Sequence, residues 1–66
     1  MIEVFTWQAR TKRHLTLVQL ESLTGISKTT LNDIENGKTS PTLRQLETIA
    51  AALNVKMTDL FDSEYK

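Results

Sequence analysis

Between Gly25 and Pro41 the chain reads "GISKTTLNDIENGKTSP", and Lys28, Thr29, Asn32, Asp33 and Asn36 are spaced to share one face of a helix. Leu31 and Ile34, three positions apart, are its inward residues, with Ile26 just before it. If those apolar residues pin the helix to a core, the polar ones project outward. The chemistry such a face offers is hydrogen-bond reading of base edges. Lysine donates to guanine, asparagine pairs bidentately with adenine, aspartate accepts from cytosine, and threonine brings a hydroxyl or a methyl. The same residues also make an ordinary solvated face, and composition alone favours that plainer reading.

The elements that must position this face follow from capping chemistry, because the first amides of a helix need outside acceptors. Thr16 followed three residues later by Gln19 fits a capping box, opening a helix through about Thr24, and Gly25 then permits a left-handed turn. Ser27 opens the polar-faced helix and Gly37 stands just past its end. Ser40 and Pro41 mark a third start, with proline at the first helical position. In "PTLRQLETIAAALN" the residues Leu43, Leu46, Ile49, Ala50 and Leu53 repeat at helical spacing, predicting one buried face closed by Asn54. "MTDLFD" predicts a further short turn with Leu60 and Phe61 on the core, and "SEYK" has little to order it.

At the front, "MIEVF" has strand-like content, yet a helix is expected from about residue 4 to 13, leaving His14 just past its end, where it needs either an ending carbonyl contact or positive φ, a region histidine visits more readily than most. Val4, Phe5 and Trp7 are expected to pack against the fourth helix, the alternative being a partner surface.

With 66 residues, one domain spanning 1–66 is expected, and folding a chain of this size removes only about 60% of its unfolded surface from water. There is no cysteine and a single histidine, so neither a disulfide nor a zinc site is available. No Gly-rich phosphate loop or acid/base pair is visible, so no catalytic site, cofactor, metal or small-molecule ligand is expected. No apolar run approaches the roughly 18 residues of a membrane span, and no secretory leader is seen, which points to a cytoplasmic protein. Net charge is zero but uneven. Through Arg44 six basic residues (Arg10, Lys12, Arg13, Lys28, Lys38, Arg44) face four acidic ones (Glu3, Glu21, Asp33, Glu35), and the remainder is acidic by the same margin.

The segment "LTLVQLESLTGISKTTLNDIENGKTSPTLRQLETIAAALNVKMTDLF", residues 15–61, resembles the Cro and phage-repressor (Cro/C1-type, XRE) helix-turn-helix domains. The resemblance rests on the Gly25 turn, Leu31 and Ile34 as inward positions, "IENGK" followed by "SPTL", and consistent spacing through "LFD". It implies an all-α bundle of four to five helices of the lambda-repressor-like type, in a prokaryotic or phage regulator. Residues 17–24 would be the first helix of the motif and 28–36 the recognition helix. Ser27, Lys28, Thr29, Asn32 and Asp33 then fall at base-reading positions, and Leu17, Asn36, Lys38, Thr39 and Arg44 at phosphate-facing ones. Helix N-termini at residues 17 and 41 would add backbone amides. Arg10 and Glu35 resemble the structural ion pair of this class.

Two positions depart from the pattern. Leu17 stands where many relatives have glutamine, leaving at most a sugar or thymine-methyl contact, and Glu21 stands where alanine is usual. Glu21 is expected to pack its stem and turn its head to solvent. The function implied is a repressor on palindromic operator DNA, binding as a homodimer through either the N-terminal apolar cluster or Val55, Met57 and Phe61. The alternative is a protein-interaction module of the same fold, antitoxin-like or anti-repressor.

Overall fold

A two-residue strand β1 (Glu3–Val4) leads into helix α1 (Thr6–Lys12) in the computed structural model, which describes residues 2–66. Helices α2 (Leu17–Thr24), α3 (Lys28–Glu35) and α4 (Leu43–Leu53) follow, then a 3-10 turn (Met57–Asp59) and strand β2 (Phe61–Asp62). The fold is therefore a four-helix bundle with one small addition. β1 and β2 pair antiparallel, with Glu3 opposite Asp62 and Val4 opposite Phe61.

That strand pair corrects the expected start of α1 at residue 4. The Val4 backbone is used in the ladder, and Phe5 donates its amide to the Leu60 carbonyl at 2.7 Å, so the helix opens only at Thr6. Trp7 is also not a core residue: it is 52% exposed, while Val4 and Phe5 are half-buried beside the strand pair.

The helix boundaries in the middle of the chain follow their caps. Thr16 accepts the Gln19 amide while Gln19 reaches back to the Thr16 amide, a complete capping box, and Gly25 ends α2 at φ +74°. Ser27 accepts the Thr30 amide at the head of α3. The start of α4 lies two residues later than Ser40 and Pro41 suggest. Thr42 and Gln45 form a second capping box there, which satisfies two donors at once, and Pro41 sits ahead of it in the extended approach. His14 and Asn54 both take positive φ, 58° and 56°, closing α1 and α4 respectively.

The core is built from Leu20 of α2, Leu31 and Ile34 of α3, Leu46, Ile49, Ala50 and Leu53 of α4, and Leu60. Each fully buried leucine or isoleucine contributes about 1.5–3 kcal/mol relative to leaving it in water. Leu43 is not among them. As the first residue of α4 it extends past the packed layer and is 74% exposed. The end of the chain is better tied down than "SEYK" suggests, because Lys66 Nζ donates to the Thr58 and Phe61 carbonyls and lies 5.5 Å from the centre of the Phe61 ring.

Candidate nucleic-acid interface

Helix α3 packs on the core by one face. Leu31 and Ile34 are 1% and 2% exposed, and around them Lys28, Thr29, Asn32 and Asn36 face solvent. The helical period turns these four onto neighbouring positions of one side. Asp33 is half-buried, and its carbonyl accepts the amides of Lys38 and Thr39. Those two bonds turn the chain sharply after α3, leaving the side chains of Lys38 and Thr39 exposed next to the helix end. Arg44, in the first turn of α4, is likewise exposed.

The head of α3 is fixed by a cap of its own and by one contact from α2. Ser27 Oγ accepts the Thr30 amide and donates to Thr30 Oγ1 at 2.9 Å, so this hydroxyl is used within the first turn of the helix. Glu21 uses its carboxylate across the turn. Its Oε2 accepts the Lys28 amide at 3.0 Å, placing a negative group at the positive end of α3 and fastening the two helices across the turn. The glutamate that departs from the family pattern therefore acts as a cap.

Along the outer face, Asn36 Nδ2 donates to Asn32 Oδ1 at 3.2 Å. This bond orients the Asn32 amide and uses one lone pair of its Oδ1; a bidentate contact with adenine would take the second lone pair together with an Nδ2 donor. The side-chain amide of Asn36 is thus first of all a neighbour to Asn32. Leu17 is half-buried and packs on the core, whereas Val18 beside it is 58% exposed. Thr16, Leu17 and Val18 line one wall of a shallow concavity whose other wall is Lys28, Thr29 and Asn32. Val18, the contact of Glu21 with the Lys28 amide and the Asn36 to Asn32 bond were not foreseen by sequence reasoning. Helical spacing puts residue 18 about 100° round the helix from 17, which was the available signal for Val18. The Glu21 contact spans a turn and had none.

Behind α3, Arg10 closes the base of the motif. Its Nε donates to Glu35 Oε2 at 2.7 Å and its Nη2 to Glu35 Oε1 at 3.0 Å, a bidentate pair, while Nη1 donates to the Leu15 carbonyl at 2.7 Å. The two side chains are 12% and 4% exposed. The hydrogen bond to Glu35 holds the Arg10 pKa above the ordinary arginine range; burial opposes this, and the opposite charge of Glu35 adds to it. The pair cancels one charge of each sign, and around α3 there remain the exposed Lys28, Lys38 and Arg44 against the half-buried Glu21 and Asp33. Among the described residues no cluster of acidic, histidine or cysteine side chains could hold a metal ion, and no helix is long and apolar enough to cross a membrane.

Comparison with known proteins agrees with this geometry. A family model described as helix-turn-helix matches residues 8–60, which include α2, the turn and α3. The chain is also 38% identical over 56 residues to the HTH-type transcriptional regulator SlrR of Bacillus subtilis (strain 168). That similarity takes in 83% of this chain and 37% of the relative, so the chain spans little more than a third of that protein's length.

Proposed function

The chain belongs to the Cro/C1-type (XRE) helix-turn-helix family, and from that membership we propose that it represses transcription by occupying palindromic operator DNA as a homodimer. The observation that carries this reading is the division of α3 into a buried edge, Leu31 and Ile34, and an exposed edge, Lys28, Thr29 and Asn32. Inserted in the major groove, that exposed edge meets bases, with Lys28 directed to guanine, Asn32 to adenine and Thr29 to a base edge or methyl. Asp33 and Ser27 flank it. Lys38, Thr39 and Arg44 meet phosphates on either side and set the register of the helix without selecting sequence. At the start of α2, phosphate contact falls to backbone amides, since the Leu17 side chain carries no polar atom.

The domain measures 32 × 23 × 20 Å, so one copy covers one half-site. Two copies related by a two-fold axis would meet half-sites about 34 Å apart on one side of the duplex. Blocking a promoter in this way asks nothing of the domain beyond tight, selective occupancy.

The test is selection of the purified protein against a pool of random duplexes at two salt concentrations. Recovery of a palindromic sequence, with retention falling steeply as salt rises, is the expected result; contacts to Z phosphates give a log-log slope near about −0.9Z. Recovery of a single unpaired half-site would overturn the homodimer. Absence of retention at both concentrations would overturn DNA binding and direct the search to a protein partner, whose hydrophobic interface would respond little to salt.

A further inference from the structure

We propose that Val18, on α2, is a base-reading residue that recognises the C5-methyl group of a thymine, giving the domain a sequence preference that does not come from α3. This rests on the DNA-binding reading above and adds to it. Val18 is 58% exposed although it belongs to the same helical turn as the half-buried Leu17. Folding therefore leaves an apolar, branched side chain in water at a position where a polar one would cost nothing. Its location explains what covers it. With Thr16 and Leu17 it forms the wall of a concavity whose opposite wall is Lys28, Thr29 and Asn32, the exposed edge of α3. A duplex seated on that edge brings base edges to the same concavity.

In the major groove the only apolar group a base pair presents is the thymine methyl, so that methyl is the feature a valine can distinguish. Leu17, in the same wall, packs inward on the core and has less surface to give. The Glu21 to Lys28 bond supports the arrangement, because it holds the head of α3 against α2 and so fixes the distance between the two walls.

The experiment starts from the best duplex recovered by selection. Each thymine is replaced in turn by deoxyuridine, which removes only the methyl, and affinities are measured for the native chain and for Val18→Ala. The valine site is exposed and alanine is the better helix former, so the variant should keep its fold, which circular dichroism checks. One position per half-site is expected to show a loss of about fourfold with the native chain. At that position Val18→Ala should bind the thymine and uracil duplexes equally. If no thymine responds in the native chain, or if the response is undiminished in Val18→Ala, the assignment to Val18 is overturned while DNA binding stands. If no duplex is recovered at all, both readings fall together. Should Val18→Ala be unstable, Val18→Gln, polar and a good helix former, takes its place in the same comparison.

Discussion

Replacing Glu35 with alanine would strip the Arg10 guanidinium of its bidentate partner while leaving the charge 12% exposed between α1 and the end of α3. An uncompensated charge of this kind costs about 3–5 kcal/mol, far more than the roughly 1 kcal/mol at most that an exposed ion pair is worth. A domain of 66 residues has about 3–10 kcal/mol in total, so the variant should be largely unfolded at the lower end of that range. If it still folds, its Tm should fall by at least about 12 °C. The assay is urea denaturation followed by circular dichroism, with Tm from the same signal. Replacing both partners by leucine should recover part of the loss, since the charge is removed along with its partner. Recovery would be incomplete because Arg10 also satisfies the Leu15 carbonyl. The raised pKa of Arg10 stabilises the fold at every pH below the unfolded arginine pKa and is lost only as pH rises through the folded value. The cost of Arg10→Leu should therefore be flat between about pH 7 and about pH 10. A loss of less than about 1 kcal/mol for Glu35→Ala would refute the reasoning, since it would mean the pair behaves as if in water.

Four further outcomes are expected. Thr6 is 1% exposed and its hydroxyl has no hydrogen-bond partner among the described residues, so Thr6→Val, which keeps the shape, should raise the urea midpoint by an amount worth about 1–3 kcal/mol. Glu21→Ala should cost about 1 kcal/mol and speed hydrogen exchange at the Lys28 amide, whereas Glu21→Gln, which retains an acceptor, should stay near the native chain. Gly25→Ala should cost about 1–2 kcal/mol from backbone strain alone, because nothing lies within 4 Å of the added carbon, while Asn54→Gly at φ 56° should be neutral or stabilising in the same melts. In binding titrations Lys38→Glu or Arg44→Glu should weaken all duplexes alike and flatten the salt slope, whereas Asn32→Ala should cost about 1–3 kcal/mol at one base position and relax preference there.

The order of helices and the turn between α2 and α3 were legible in the chain because local groups decide them. A threonine with glutamine three residues on caps a helix wherever it stands, and a glycine after the last turn accepts a left-handed φ without strain. The same local logic named Leu31 and Ile34 as the inward edge of α3, and through them the outward one. Where two local signals competed, the stronger satisfied more donors: Thr42 with Gln45 set the start of α4, and the residues Ser40 and Pro41 became its approach.

What required the tertiary structure were pairings between segments that no spacing rule connects. The strand of Glu3 and Val4 exists only because Phe61 and Asp62 return beside it, and this shortened α1 and left Trp7 outside the core. The polarity of Glu21 was plain from its residue type, yet its role as a cap depends on α2 and α3 meeting so that its carboxylate reaches the Lys28 amide. Val18 could be seen to be apolar, but its exposure beside the reading edge of α3 follows from how α2 rolls Leu17 and Leu20 onto the core. Helix ends are governed by atoms a few residues apart and are written into the chain. The composition of a recognition surface depends on which side chains the core has already taken, and packing alone settles that.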